Sequence, residues 1–220
     1  YAQKCKIALY EKGVPFEVRM PTAIGSGHAD ADFIKANPRA EVPALIDGDF
    51  AIFDSTIILE YIEDRFPEPR LMPRDPKGRA RARMIEDAMD THYEPINWGL
   101  GEIRWFKRAE GERARVIEAR AAGQARDFHA WLERHLGDRQ WFGGDQFGWA
   151  DLAVIPYVNG STGLGVGPSP TSKLGQWQAG ANARPSVQKT AQAAAESIKG
   201  MAMVGEAVRQ RLFKREYRDP

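Results

Sequence analysis

The sequence predicts an α/β domain at the start of the chain and an all-α domain after it. Between Gly13 and Phe53, short apolar runs alternate with turn residues, a pattern typical of strands joined by tight connections. After Pro76 the chain changes to long runs rich in Ala, Arg and Glu, which favour helices. This change of pattern predicts two domains rather than one.

A proline-rich segment marks the predicted boundary. Four prolines lie within residues 66–76, and proline cannot continue a helix. We therefore expect a first domain at residues 1–66, a linker at 67–76 and a helical domain at 77–220. Helices in the second domain are predicted at about Pro76 to Leu100, Glu110 to Leu136, Trp149 to Tyr157 and Arg184 to Ile198.

Asp47-Gly48 predicts a β-hairpin in the first domain. Both residues tolerate the positive φ angles of a tight turn, and alternating apolar segments flank them. The predicted strands run from about Val42 to Ile46 and from about Asp49 to Phe53.

A helix is predicted directly after this hairpin. Ser55 is the expected N-cap, and the apolar stripe of the helix is formed by Ile58, Tyr61, Ile62 and Phe66. A helix N-terminus binds anions through unpaired N–H groups, and the neighbouring Asp54 can bind a cation. Asp54-Ser55 therefore suits an amino-acid head group, although Ser at an N-cap also stabilises a helix by about 1 kcal/mol without any ligand.

Val42-Pro43 predicts a second contact for the same ligand. Pro43 has no N–H to donate to a sheet, which suits the first residues of a strand. The backbone of Val42 then stays available to pair with an extended peptide.

Taken together, residues 37–45 followed by Asp54-Ser55 resemble the glutathione site of cytosolic glutathione S-transferases. Three further segments resemble the same family in the same order, and the resemblance extends to about Ser197. Residues 1–17 are similar to its first helix and second strand, residues 145–153 to a helix start in its all-helical domain, and residues 183–187 to its last core helix.

This resemblance implies a fold and an activity. The fold is a thioredoxin-like α/β domain followed by an all-α helical bundle, with the first strand expected ahead of Tyr1 and absent from these residues. The implied activity is transfer of the glutathione thiolate to small electrophiles, with glutathione as co-substrate. Aryl-ether cleavage, dehalogenation, isomerisation and a non-catalytic binding or regulatory role remain open alternatives.

The resemblance also implies the glutathione contacts. The Val42-Pro43 bond is expected to be cis, with the Val42 backbone paired to the cysteinyl part and Asp54-Ser55 holding the γ-glutamyl part. Glu41 departs from the Lys or Gln of many relatives. Arg39 is a candidate to compensate its charge, although a solvent-facing role explains Arg39 equally well. The catalytic Ser, Cys or Tyr is expected just before Tyr1, so no catalytic residue is assigned.

A cluster of aromatic residues is the expected wall for the second substrate, because such side chains form the apolar part of small-molecule pockets. For each residue, packing in the protein core is an equally good interpretation. The candidates are Tyr1, Tyr93, Trp98, Trp105 and Phe106.

Two reactive side chains are interpreted as structural. Cys5 lies at helical spacing from Leu9 and Lys12, which favours a packed thiol over a nucleophile. Asp151 is expected to cap a helix, as half of a capping box whose other half is lost at Gly148.

Composition bears on the remaining partners. With 31 basic and 30 acidic side chains the net charge is +1, so neither nucleic acid nor an anionic membrane is an expected partner. No apolar stretch reaches the length of a membrane span, and a single cysteine favours a reducing compartment, so cytoplasm is the expected location. The four histidines lack zinc-binding spacing and are expected at the surface, and no metal is expected.

Assembly is predicted from the resemblance alone. It implies a two-fold homodimer, with the basic residues of the first long helix at its boundary, although a solvated face explains them equally well. These residues are Arg79, Arg81 and Arg83.

Overall fold

The computed structural model describes residues 1–21 and 31–202 of the 220-residue chain, with side chains described as far as residue 194. The described chain divides into two compact units. One consists of Tyr1–Arg65 together with the described residues from Lys189 onward, and the other is Phe66–Gln188. The domain boundaries expected from sequence stay a prediction.

The first unit contains a small antiparallel sheet flanked in sequence by helices. Ala44 pairs with Phe53 and Asp47 with Phe50, and Gly48 takes the positive φ of 64° that the turn requires. The predicted hairpin is therefore confirmed, but its strands are shorter than expected and its two turn residues are Gly48-Asp49, one position later than the expected Asp47-Gly48. Its elements are α1 (Ala2–Glu11), α2 (Ala31–Ala36), β1 (Ala44–Asp47), β2 (Phe50–Phe53) and α3 (Ser55–Arg65).

The second strand that the resemblance implied within residues 1–17 does not form. A strand needs a neighbour to satisfy its backbone groups, and β1 and β2 pair only with each other among the described residues. The core of the first unit is formed by α1 and α3, which pack against each other through apolar side chains that are almost fully buried. These are Ile7, Ala8, Ile58, Leu59 and Ile62.

The second unit is helical, and this arrangement of a two-stranded α/β region followed by helices matches the expected fold class. Its described helices are α4 (Pro76–Ala88), a π-helical turn (Met89–Tyr93), α5 (Glu94–Arg104), α6 (Gly111–Leu136), α7 (Trp149–Gly163) and α8 (Lys173–Asn182). Helix α9 (Pro185–Ala202) begins in this unit.

The single helix expected over Pro76–Leu100 is wrong. Pro95 has no N–H to donate to the carbonyl of Thr91, so an unbroken α-helix is disfavoured there. The chain instead forms a π-helical turn, in which the N–H of Glu94 bonds the carbonyl of Met89. Helix α7 continues beyond the predicted end at Tyr157, and α8 was not predicted.

Asp151 caps α7, as expected. Its carboxylate is fully buried and accepts hydrogen bonds from the backbone N–H of Phe142 at 2.9 Å, the N–H of Gly148 at 3.0 Å and the indole N–H of Trp177 at 2.8 Å. Because Gly148 has no side chain, only the carboxylate half of the capping box is present.

The start of α7 lies against the chain at Leu71. The N–H of Trp149 donates to the Leu71 carbonyl at 2.9 Å. A Cβ placed on Gly148 would lie only 2.7 Å from the same carbonyl oxygen. Glycine at position 148 is therefore required by this close approach.

Candidate functional site: the open end of the hairpin

The first turn of α3 is capped by Asp54, so the expectation that Ser55 is the N-cap is wrong. The Asp54 carboxylate accepts from the backbone N–H of Thr56 at 3.0 Å and of Ile57 at 3.4 Å. Asp54 also has a positive φ of 74°, which is uncommon for a residue other than glycine. Such backbone conformations cluster at ligand-binding sites.

This arrangement leaves two donors of Ser55 available. Ser55 is 5% exposed, and neither its backbone N–H nor its hydroxyl donates a hydrogen bond within the described residues. Beneath it, the buried thiol of Cys5 donates to the Ser55 carbonyl at 3.5 Å. Cys5 therefore supports the turn that presents Ser55, in keeping with the packing role expected for it.

Val42 lies at the same end of the hairpin. The ladder begins with the pair Ala44 and Phe53, so Val42 precedes it by two residues and Ser55 follows it by two. Val42 is exposed, and the Val42-Pro43 bond is cis, as the resemblance implied. The hairpin thus brings the backbone of Val42 and the start of α3 to one open end.

The loop before Val42 is fixed by a buried amide. Asn37 donates from Nδ2 to the Glu41 carbonyl at 2.5 Å and accepts at Oδ1 from the N–H of Arg39 at 3.0 Å. The guanidinium of Arg39 in turn pairs with the Glu41 carboxylate at 2.7 Å, both side chains being more than half exposed. Arg39 therefore compensates the charge of Glu41, one of the alternatives that the sequence left open.

Lys4 is a residue of this region that the sequence reasoning missed. Its side chain is fully buried on α1, and Nζ lies 3.4 Å from the hydroxyl of Thr56 in the first turn of α3. The signal was available, because Lys4 is four residues before the buried Ala8 and thus on the packed face of α1. A cation here adds positive potential close to Ser55.

The aromatic candidates divide into exposed and buried residues. In the second unit, Trp98 and Trp105 are each 53% exposed, and the ring centroids of Trp98 and Phe106 are 6.3 Å apart. The Trp105 ring covers Gly101, where a Cβ would come within 2.6 Å of it. In the first unit, Tyr1 is exposed at the start of α1.

For Tyr93 the structure supports the interpretation as a core residue over that as part of a pocket wall. It is fully buried, its hydroxyl donates to Ser161 Oγ at 2.7 Å, and His129 Nε2 lies 2.6 Å away. Ser161 donates onward to the Val158 carbonyl at 2.9 Å. With the Tyr93 proton committed to Ser161, His129 donates from Nε2 to the phenol oxygen.

Burial favours the neutral form of both Tyr93 and His129 and shifts their pKa values accordingly. Burial raises the pKa of Tyr93 to about 12, and the hydrogen bond with Ser161 has a smaller, opposite effect. Burial lowers the pKa of His129 to about 4, and the negative charge of Glu133 has a smaller, opposite effect. Tyr93 is thus a structural phenol, and the expectation that all four histidines lie at the surface is wrong for His129.

Neither a metal-binding cluster nor a membrane-spanning helix is found in the part of the chain that is described. Residues 1–21 and 31–202 contain no group of three or more His, Cys, Asp or Glu side chains arranged to hold a metal ion. In the same residues, no helix has the length and apolar character needed to cross a membrane.

Comparison with known families identifies both parts of the chain. Residues 1–70 match the model of the glutathione S-transferase N-terminal domain, and residues 112–167 match that of its C-terminal domain. A stringent starvation protein A homolog from Haemophilus ducreyi is 31% identical over 166 residues, which cover 76% of this chain and 72% of the relative. The chain therefore belongs to the cytosolic glutathione S-transferase superfamily.

Two other relatives are named as enzymes. Glutathione S-transferase 1 from Dianthus caryophyllus is 31% identical, with 75% of each chain covered, and maleylacetoacetate isomerase from Pseudomonas aeruginosa is 30% identical, with 74% of this chain and 77% of the relative covered.

Solved structures support the same fold. A glutathione S-transferase from Xylella fastidiosa has a TM-score of 0.75 at 23% identity, covering 87% of this chain and 92% of its own. Rice GST1, solved in complex with glutathione, has a TM-score of 0.68 at 29% identity, covering 86% and 84%.

Proposed function

We propose that this protein is a glutathione transferase that conjugates the glutathione thiolate to small, aromatic electrophiles. The observation that carries the proposal is the state of Ser55. Its hydroxyl and backbone N–H lie at the start of α3 without partners in the described residues, because Asp54 takes over the capping. Two convergent donors at a helix N-terminus suit a carboxylate.

The rest of glutathione fits the remaining groups at the open end of the hairpin. The α-carboxylate of its γ-glutamyl part binds Ser55, while the α-ammonium binds the exposed carboxylate of Asp54. The Val42 backbone pairs with the cysteinyl part, with Pro43 as its neighbour in the loop. Glu41 contributes through its backbone, since its carboxylate is engaged by Arg39.

Helix α1 supports formation of the thiolate. A thiol reacts as its thiolate, and the positive end of a helix lowers the pKa of a thiol placed there. The N-cap of α1 is Tyr1, which makes no side-chain capping bond. The positive end of the α1 dipole is proposed to favour a thiolate at this end.

The exposed Trp98 and Trp105, together with the half-buried Phe106, are proposed to hold the second substrate. Their flat, apolar faces suit an aromatic ring, and their exposure leaves those faces accessible. Tyr1 is proposed to lie beside the sulfur of glutathione, whereas Tyr93 is withdrawn from the pocket because its burial excludes substrate.

A second candidate reaction is isomerisation by the same bound thiol. The relative named maleylacetoacetate isomerase favours it. A non-catalytic binding or regulatory role is the third candidate, because this superfamily fold alone does not establish turnover. Product formation is measured with glutathione and either a chlorodinitrobenzene or a cis-configured dicarboxylic substrate. A conjugate of the first supports the transferase, isomerisation of the second supports the isomerase, and neither product supports the binding role.

A role in detoxification in the cytoplasm, as a homodimer, belongs to the same proposal. Three large apolar side chains are exposed on the hairpin and α3, namely Ile46, Phe50 and Ile57, and such residues suit burial against a second subunit. Light scattering is expected to give about twice the 24.6 kDa of one chain. A mass of one chain at micromolar concentration contradicts the dimer.

Replacement of Ser55 tests the glutathione site. Ser55→Ala removes a hydroxyl that has no partner in the described residues, so the free energy of unfolding should change little. Affinity for glutathione, measured by calorimetry, should fall by about 1 to 3 kcal/mol because a nearly buried contact to a charged group is lost.

Ser172→Ala is the matched control. Ser172 is also at a helix start, but its hydroxyl already accepts from the N–H of Gly175 at 3.1 Å. This variant should lose about 1 kcal/mol of stability and keep its glutathione affinity. Unchanged affinity in both Ser55→Ala and Asp54→Ala would refute the site.

A further inference from the structure

The aromatic wall assigned to the second substrate depends on the direction in which α5 leaves the π-helical turn. Trp98 lies on α5, less than two turns beyond Tyr93, and Trp105 follows directly after the end of that helix. Both side chains are 53% exposed, so much of each ring has no protein contact to hold it. The placement of the two rings is therefore set largely by the backbone that carries them.

The apolar contacts of α5 do not select one direction for the helix. Leu100 packs with Ala121 and Leu164, and Ile96 packs against the same cluster. Contacts of this kind favour burial but are non-directional. Hydrogen bonds do select a placement, because they require defined distances and angles.

The hydroxyl of Tyr93 supplies such bonds at the start of α5. Tyr93 is the last residue of the π-helical turn and is fully buried. Its hydroxyl donates to Ser161 Oγ on α7 at 2.7 Å, and His129 Nε2 on α6 lies 2.6 Å from the same oxygen. One hydroxyl thus joins the start of α5 to both of these helices.

A second set of bonds aligns the same region with α7. Asn97 donates from Nδ2 to the Tyr157 carbonyl at 2.9 Å. The Tyr157 hydroxyl donates to the carboxylate of Asp90 in the π-helical turn. Tyr157 and Ser161 are four residues apart on α7 and so lie on one face of it. The π-helical turn and α5 are therefore both bonded to this face.

We propose that Tyr93 is a positioning residue for the second substrate. Its hydrogen bonds fix the direction of α5, and α5 in turn holds Trp98 and Trp105 where an aromatic electrophile binds. This role rests on the proposed function, which takes these rings as the wall of the substrate site. Because Tyr93 is buried, it does not touch the substrate. Loss of its hydroxyl weakens binding of the electrophile and leaves binding of glutathione unchanged.

Tyr93→Phe tests the proposal, because it removes the hydroxyl and keeps the ring. With a chlorodinitrobenzene, the KM for the electrophile should rise about fivefold, whereas the KM for glutathione should change less than about twofold. Calorimetry gives a second readout that needs no turnover. The affinity for the dinitrophenyl conjugate of glutathione, divided by the affinity for glutathione, should also fall about fivefold. A folded Tyr93→Phe with both quantities unchanged overturns the proposal.

Two further variants separate positioning from loss of stability. Ser172→Ala loses a capping bond at the start of α8 and should keep the wild-type affinity ratio. His129→Gln keeps a donor for the Tyr93 hydroxyl and should also keep that ratio. If Ser172→Ala lowers the ratio as much as Tyr93→Phe does, any loss of stability has the same effect and the proposal is overturned.

Measurements on the wild type distinguish this role from the proposed reaction. If the wild type binds the conjugate but forms no product, the transferase reaction is refuted, and the affinity ratio of Tyr93→Phe still decides the role of Tyr93. If the wild type binds the conjugate no more tightly than glutathione, the aromatic wall is refuted together with its positioning residue. If Tyr93→Phe does not fold, Ser161→Ala removes the acceptor of the same bond and should lower the ratio in the same way.

Discussion

The open end of the hairpin and the interior of the helical unit treat polar groups in opposite ways. At Ser55, a hydroxyl and an N–H lie at a helix start without partners in the described residues. In the helical unit, Tyr93, His129 and Ser161 form a chain of hydrogen bonds that ends on a backbone carbonyl. A satisfied polar group stabilises the fold, whereas an accessible unsatisfied one is available to a ligand.

This comparison separates stability from binding. Changes in the buried network should alter the free energy of unfolding and leave glutathione affinity unchanged in molecules that remain folded. Removal of the Ser55 hydroxyl should do the reverse. Three experiments test this distinction, in order of decreasing effect.

The largest effect is expected for Asp151→Ala. It leaves three donors without their acceptor, namely the N–H groups of Phe142 and Gly148 and the indole of Trp177. The free energy of unfolding in urea should fall by about 3 to 5 kcal/mol, because breaking a buried charged network is strongly destabilising. Asp145→Ala, at an exposed position, should cost less than about 0.5 kcal/mol. A loss of the same size in both variants contradicts the capping role.

An intermediate effect is expected from His129 as the pH falls. Its pKa is about 4 in the folded protein against an ordinary 6.5, so the unfolded chain binds more protons between these values. The contribution of His129 is therefore fully present above pH 6.5 and is lost as the pH falls from 6.5 toward 4. The loss should be about 1 to 3 kcal/mol.

His129→Gln isolates this contribution, since Gln can still donate to Tyr93 but does not titrate. The stability of the wild type relative to His129→Gln should decrease between pH 6.5 and 4, measured by urea unfolding at each pH. The exposed His92→Gln serves as the control and should show the pH dependence of the wild type. An identical pH dependence in His129→Gln and wild type would show that His129 is not held neutral.

The smallest effect is expected for Cys5→Ala, which tests the support beneath Ser55. The substitution removes little volume from a buried position, so it should cost about 1 kcal/mol of stability. Turnover of glutathione with a chlorodinitrobenzene should stay near the wild-type rate, because the reacting thiol is that of glutathione. Loss of turnover by orders of magnitude in a folded variant that still binds glutathione would instead identify Cys5 as a nucleophile.

Local signals in the sequence were sufficient for the hairpin and for the residues at its open end. The positive φ available to Gly48 marks the turn to within one residue, and α3 begins where an Asp-Ser pair meets an apolar stripe. Which member of that pair forms the cap was not predictable, since both Asp and Ser are good N-caps. The hydrogen bonds that Thr56 and Ile57 donate to the Asp54 carboxylate decide it in favour of Asp54, and these bonds depend on a backbone path that is not visible in sequence.

Long-range contacts explain what the sequence did not reveal. Tyr93 was indistinguishable from Trp98 by type and spacing, and only packing shows that one is buried and the other exposed. Its partner Ser161 is 68 residues away, a pairing that no local pattern encodes. The π-helical turn, by contrast, had a local signal: Pro95 indicated a break in the α-helix, which the spacing of apolar residues alone does not show.

The close approach of Leu71 to Gly148 has a consequence for the evolution and engineering of this chain. At a typical helix start, exchanging glycine for serine adds a capping hydroxyl and raises stability. Here the new Cβ would meet the Leu71 carbonyl at 2.7 Å, so the same exchange becomes harmful. The value of a substitution at position 148 therefore depends on the path of the backbone 77 positions earlier, a case of epistasis between a loop and a helix cap.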